Sequence, residues 1–414
     1  MMKRASVKLS AAIALAALAT GSALAQGREP VPPLGVPGPD ADQPALLELR
    51  RNLLNKTIMP LMYHHMDSVF PTQEIARGGP VTAIPRAERP LNFSYTFAGE
   101  TRPAEEVLER TFTNALLIIK DGRIVYERYR NLTRPDSRFM AMSVSKSITA
   151  ILLGIAIDKG SIRSLDDLAT DYVPELKGSA YEGVTVRDLV DMKSGVDRSD
   201  GDQQKPGSPG AARREDILVR NARPAVDEAF LVGRKEAPGK RFDYSTLNTT
   251  VLGWVIERAT KTPITEYTSE MLWQPLGTER PAFWMTDGQR GKERPLTGIG
   301  FNATLRDYAR IGLMMLNNGK YNGRQIVSAR WVQESTAEPH HPLVPNASTG
   351  YQHSWWTVPG AAAYGANGVG GQYIYIDPAT RTVIVKASYT PGDAREANAE
   401  SNAFFKAASA WKGE

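Results

Sequence analysis

Two side chains three positions apart carry the first chemical signal. In Ser143-Val144-Ser145-Lys146 a hydroxyl and an amine stand at positions i and i+3, which share a face if the segment is helical. Burial would cost the ammonium its hydration and push the lysine toward its neutral form, able to take the proton of a serine nucleophile. At the start of a helix, unpaired backbone N–H groups could also receive a developing oxyanion. The same spacing fits an N-capping serine beside a snorkelling lysine. It recurs at Ser409-Ala410-Trp411-Lys412, at the C-terminus with no buried helix after it. Ser145, adjacent to Lys146, points off the shared face.

Other chemistries have less to stand on. The chain of 414 residues contains no cysteine, which excludes a thiol nucleophile, a thiolate-zinc site, an iron–sulfur centre and a disulfide scaffold. It has neither a Gly-x-Ser-x-Gly elbow nor a His-Glu-x-x-His helix. The histidines His64, His65, His340, His341 and His353 lack metal-ligand spacing and suit surface or packing roles, so no metal and no cofactor is expected. Nothing marks a Ser-His-Asp triad. A small-molecule substrate remains as the partner.

The elements that must position Ser143 and Lys146 can be read from the pattern around them. Residues 115–120 and 123–129 are β-rich runs joined by Asp121-Gly122, a pair suited to a tight hairpin turn. Residues 143–159 form a helix stopped by Gly160, and the absence of charge between Lys146 and Asp158 predicts burial on nearly every side. Residues 161–335 read as mainly helical with long loops, the clearest helices being 246–260 and 306–317. Strands return at 372–376 and 382–389, and a helix over 398–411 closes the chain. Strands at both ends with helices between predict an α+β fold: an antiparallel sheet assembled from distant segments, flanked by helices, with a mostly helical insertion lobe and the site between the two. The sheet lobe is expected at about 104–160 and 340–414, the helical lobe at about 161–335, and the close-set prolines of 46–103 suggest a wrap over a neighbouring part.

The N-terminus has a separate role. Lys3, Arg4 and Lys8 precede an apolar run and then Ala23-Leu24-Ala25, the pattern of a secretory signal peptide over residues 1–25 cleaved after Ala25. The run is shorter than a membrane span needs. Residues 26–45 are a Pro-rich flexible leader. Loss of three positive charges lowers the formal +5 to near +2, too little for a nucleic-acid surface. A periplasmic or secreted protein with no membrane span after cleavage is expected.

In sequence order these motifs resemble the penicillin-recognising serine hydrolases: β-lactamases, D-Ala-D-Ala peptidases and related esterases. Met142-Ser143-Val144-Ser145-Lys146-Ser147 resembles the family's Ser-x-x-Lys element. The run from Thr185 to Val196 is similar to the segment preceding its active-site loop, and Pro238-Gly239-Lys240-Arg241-Phe242-Asp243-Tyr244-Ser245-Thr246 resembles its tyrosine element. Within the family the likeness is to 6-aminohexanoate-dimer hydrolases and esterases of the class C β-lactamase fold, through Tyr63-His64-His65-Met66, Pro71-Thr72-Gln73 and the run from Gly300 to Arg310. The resemblance implies that Ser143 is acylated, Lys146 accepts its proton, Tyr244 relays it to the leaving group, and the N–H groups of Ser143 and of Ala366, after Gly365, form the oxyanion hole. A rival to Tyr244 is Ser199-Asp200-Gly201, which echoes a Ser-Asp-Asn element. The family's Lys-Thr-Gly strand should fall at Ala363-Tyr364-Gly365, where no lysine stands; Arg241, Arg306 or Arg310 could supply a cation instead. An exported hydrolase of small amides or esters is implied, a carboxypeptidase or β-lactamase, or a binding protein without turnover, being the alternatives.

Overall fold

In the computed structural model, residues 44–288, 291–336 and 349–412 are described. The expected signal peptide, most of the leader, and His340 and His341 lie outside them. The leader's last two positions fall in a helix, Pro44–Arg51.

The Asp121-Gly122 turn forms as its sequence requires. Both residues take positive φ, +46° and +75°, the twist that suits a two-residue hairpin. The turn joins strands Thr113–Lys120 and Arg123–Tyr129, which form one end of a seven-stranded antiparallel sheet. In spatial order its strands are Gly350–Gln352, Trp355–Thr357, Tyr364–Gly368, Gln372–Asp377, Thr382–Ser388, Thr113–Lys120 and Arg123–Tyr129. The C-terminal strands therefore pair with the hairpin across more than 250 residues of sequence, as Leu117 opposite Val385 illustrates.

Every residue of Thr113–Lys120 is buried, because both faces of the sheet are covered. Leu116, Ile118 and Ile384 point to one face, under Phe404, Phe405 and Trp411 of or beside the last helix, Arg395–Ala410. Leu117, Ile119 and Val385 point to the other, against Ile148, Ile151 and Leu152 of the helix Val144–Asp158 and against the helix Leu305–Leu316. The alternation of a strand thus divides the apolar residues between two cores.

The region 161–335, expected to be mainly helical, also carries the strands Ala282–Asp287, Arg294–Pro295 and Phe301–Thr304. They join Thr72–Ile75 and Arg138–Met140 in a second, five-stranded sheet. The proline-rich segment 46–103 therefore does more than wrap, since it contributes an edge strand in register with Ala282–Asp287. Thirteen of the fifteen residues of Val144–Asp158 are buried, so the helix that follows Ser143 is a rigid core element. Among the described residues no helix is long and apolar enough to cross a membrane.

Candidate active site

Ser143 sits at the N-cap of Val144–Asp158, on a turn whose preceding residue, Met142, takes φ of +47°. The turn is anchored from both sides: Met140 N–H donates to Tyr63 O at 2.9 Å and Ala141 N–H to Phe301 O at 2.8 Å. Lys146, one turn into the helix and 1% exposed, brings Nζ to 2.9 Å from Ser143 Oγ, 2.9 Å from Thr246 Oγ1 and 3.0 Å from Gly298 O. Burial, and secondarily the charge of Arg198, holds its ammonium well below the ordinary lysine range. Ser145 is turned away: its Oγ accepts from Phe301 N–H at 3.1 Å.

Tyr244 lies just before the helix Thr246–Thr260. Its ring is 4.9 Å from Lys146 Nζ, and its phenol is hydrogen-bonded to Ser143. Burial pushes that phenol up to about 12, a shift the Ser143 hydrogen bond reduces, so it is protonated at neutral pH. Phe242, Tyr351 and Trp356 surround the ring, the last two at 5.8 and 5.7 Å between centroids. The serine, the lysine and the tyrosine thus form one cluster, assembled from segments 100 residues apart.

The rival loop also reaches the cluster, but through a different residue. Ser199 is exposed, whereas the next side chain, Asp200, accepts from Thr246 Oγ1 at 2.6 Å and from Thr246 N–H at 2.9 Å. Asp200 is in turn ion-paired with Arg198, which also pairs with Glu228 at 3.3 Å. Thr246 and Gly298 were not singled out from the sequence. Thr246 had a faint signal, standing two residues after Tyr244 where the family pattern can carry an asparagine; a backbone carbonyl such as that of Gly298 has none.

The strand Tyr364–Gly368 borders the site, and its register decides how the N–H of Ala366 is engaged. Gly365 stands opposite Trp356 on one side and Tyr375 on the other. The hairpin is closed by Gly371 N–H donating to Gly368 O at 3.2 Å, so Gly368 and Gln372 form a hydrogen-bonded pair. Because bonded and non-bonded pairs alternate in an antiparallel ladder, Ala366 and Ile374, two residues on, exchange backbone bonds as well. The N–H of Ala366 is therefore used inside the sheet. Asn367 and Val369 turn theirs the opposite way, where the strand Trp355–Thr357 has already ended. Gly368 makes the close approach: a Cβ there would lie 2.5 Å from Ala141 O and 3.0 Å from Met142 Cβ, whereas one on Gly365 would meet Ile374 O within the sheet. Glycine is needed at 368 so that the strand can lie against the Ser143 turn.

The three arginines considered as replacement cations are paired with carboxylates: Arg241 with Glu236 at 2.8 Å, Arg306 with Glu127 at 2.7 Å, and Arg310 with Asp307 at 3.1 Å. His353 is buried against Trp331 and bonded to Asp191 at 2.8 Å. His64 is buried and its pKa falls to about 4, first through desolvation and then through the neighbouring His65. Ser409 lies in the last helix, where its carbonyl accepts from Lys120 Nζ at 2.6 Å. Among the described residues no group of three or more histidine and carboxylate side chains could hold a metal ion.

Comparison with known proteins agrees with this architecture. The β-lactamase family model matches residues 106–407, and the chain belongs to that family of hydrolases. It is 32% identical over 379 residues to the 6-aminohexanoate-dimer hydrolase of Paenarthrobacter ureafaciens, a match covering 87% of this chain and 91% of that one. Among solved structures, a Bacillus anthracis protein assigned as a 6-aminohexanoate-dimer hydrolase superposes with a TM-score of 0.77 at 27% identity, over 87% of this chain and 96% of that one. A penicillin-binding protein from Bacillus halodurans shares the fold at 17% identity, with a TM-score of 0.57 over 73% of this chain and 100% of that one.

Proposed function

We propose that the protein is an exported serine hydrolase that cleaves small amide or ester bonds through an acyl-serine, in the manner of a 6-aminohexanoate-dimer hydrolase. The observation that carries the reading is the 2.9 Å contact between Lys146 Nζ and Ser143 Oγ in a buried setting. Burial lowers the lysine's pKa and so favours its neutral, basic form, and the hydroxyl within hydrogen-bond reach carries the proton it can take.

In this mechanism Ser143 Oγ bonds to the substrate carbonyl carbon as its proton passes to Lys146. The tetrahedral intermediate then expels an amine or alcohol, which leaves with a proton delivered through Tyr244, and the acyl group stays on Ser143. Water, losing its proton along the same path, attacks the acyl carbon; the bond from that carbon to Ser143 Oγ breaks, the carboxylic acid leaves, and Oγ takes the proton back. The oxyanion is received by the N–H of Ser143 and, by the phase of the strand ladder, by that of Val369 in place of Ala366. The sheet side and the helical side each supply one part: Ser143 and Lys146 come from the helix lying against the sheet, Tyr244 from the helical region.

Export rests on the pattern of residues 1–25, and a small-molecule substrate on the likeness to the 6-aminohexanoate-dimer hydrolase. Arg241, Arg306 and Arg310, the cations that could have replaced the missing lysine, are each paired with a carboxylate, so none of them is free to serve as a charge-assisted partner for a substrate carboxylate. Short esters, and amides with no charge flanking the scissile bond, are therefore the favoured class; the carboxylate of a linear aminohexanoate dimer lies five methylenes away from its amide. The reading is tested with one short-chain nitrophenyl ester, one linear aminohexanoate dimer and one chromogenic cephalosporin on a single preparation. A kcat/KM for the cephalosporin equal to or above both others would return the β-lactamase reading, and acylation without turnover of any of the three would make the protein a binder.

A further inference from the structure

A neutral lysine amine has two N–H donors and one lone pair, and only the lone pair can accept the serine proton. Lys146 Nζ has three neighbours: Gly298 O, Thr246 Oγ1 and Ser143 Oγ. A carbonyl oxygen can only accept, so one N–H is fixed on Gly298. The Thr246 hydroxyl could behave either way. If it donated its own proton to the amine, the lone pair would be occupied and the base blocked. Asp200 decides this, because its Oδ2 lies 2.6 Å from Thr246 Oγ1 and takes the hydroxyl proton.

We propose that Asp200 is a positioning residue for the reaction: by holding the Thr246 hydroxyl proton it makes Thr246 accept from Lys146, and so turns the lysine lone pair onto Ser143. The inference rests on the serine–lysine reading above. The charged groups around the amine are consistent with it. Asp200 reaches Lys146 only through Thr246, and Arg198 holds Asp200 in place while sharing Glu228 with Arg213. The phenol of Tyr244 stands on the remaining side. Asp200 also accepts the Thr246 N–H at the start of the helix Thr246–Thr260, a purely structural role that the test must separate.

Asp200→Asn keeps an acceptor for that N–H but offers an amide donor to the Thr246 hydroxyl, releasing the hydroxyl proton toward the amine. Thr246→Val removes the hydroxyl, and Thr246→Ser keeps it. The readouts are the rate of Ser143 labelling by a fluorophosphonate and the pH profile of kcat/KM for a nitrophenyl ester, with near-UV circular dichroism confirming the fold. Asp200→Asn and Thr246→Val should each lower the labelling rate about tenfold or more, a part of the 10²–10⁴ that a positioned base supplies. The double variant should be little worse than the worse single one. Thr246→Ser should recover most of the loss.

The acidic limb should move to lower pH in both variants. The ammonium loses an acceptor in Thr246→Val, and in Asp200→Asn the neutral amine gains a donor, so each change favours the neutral form. A structural role would lower the plateau and leave the limb in place. An unmoved limb, or wild-type labelling in Thr246→Val, overturns the proposal. If Asp200→Asn fails to fold, the Thr246→Val and Thr246→Ser pair decides alone. Ser143→Ala runs beside them: hydrolysis surviving in that variant overturns the serine–lysine reading itself, whereas hydrolysis lost there with wild-type behaviour in Asp200→Asn and Thr246→Val overturns only the assignment to Asp200.

Discussion

Gly368→Ala adds one methyl group where the strand Tyr364–Gly368 meets the turn carrying Ser143. The new Cβ would sit 2.5 Å from Ala141 O, against an ordinary carbon–oxygen contact of about 3.3–3.6 Å. Strand and turn must therefore separate by about 0.8–1.1 Å, and neither neighbour is a flexible side-chain end, because one contact is a backbone carbonyl and the other is Met142 Cβ at 3.0 Å. The φ of Gly368 is not positive, so alanine meets no backbone penalty and the effect is steric. A shift of that size would separate the N–H groups of Ser143 and Val369, the proposed oxyanion donors, and losing one such donor costs about 10²–10³ in kcat. Overpacking should cost stability only about 1–3 kcal/mol. The assay is kcat and kcat/KM on a nitrophenyl ester with thermal unfolding alongside, and Gly365→Ala as comparison. Alanine at 365 would meet Ile374 O at 2.9 Å inside the sheet, so it should disturb stability more than turnover. A Gly368→Ala enzyme within threefold of wild type, or a Gly365→Ala enzyme with the larger loss of kcat, would refute the placement of the oxyanion hole at Val369.

Ser145→Ala should leave most turnover, because Ser145 Oγ is engaged with Phe301 N–H at 3.1 Å, while Ser143→Ala should abolish it; equal losses would mean the wrong serine. Lys146→Ala and Tyr244→Phe should each lower kcat by about 10² or more, and their effects should not add if one proton path uses both groups. As pH falls, kcat/KM should drop along a limb set by Lys146, because its low pKa must be crossed before the base is protonated and lost. No alkaline limb from Tyr244 is expected until pH nears about 12, so a fall in rate between pH 8 and 10 would point to another group.

The parts of the molecule governed by local pattern were legible in the sequence. The Asp121-Gly122 turn, the uncharged helix after Ser143 and the terminal strands each announce themselves within about fifteen residues, and the helix Thr246–Thr260 has the expected bounds. The strands Ala282–Asp287 and Phe301–Thr304 were missed for a physical reason. All residues of both are buried, so no polar alternation distinguishes them from buried helix. The phase of the strand Tyr364–Gly368 was not legible in the sequence, since it is fixed by closure of the Gly368–Gly371 turn and by the meeting with Ala141, a contact across more than 220 residues of sequence; the proposal of Val369 in place of Ala366 rests on that phase. Asp200 was noticed only as a neighbour of Ser199. Its partner Thr246 is 46 residues away, and only the folded chain shows that the carboxylate faces inward while the hydroxyl of Ser199 faces solvent.

Hydrolysis through an acyl group on Ser143 requires that group to be present on the residue during turnover. It is tested most directly by mixing the purified protein with an excess of nitrophenyl ester, quenching with acid within the first turnovers, and mapping the mass increase by peptide analysis. One acyl group on the peptide carrying Ser143, absent from Ser143→Ala and disappearing as substrate is exhausted, is the predicted result. Continued hydrolysis with no adduct, or an adduct on Ser145, Ser199 or any other residue, would contradict it.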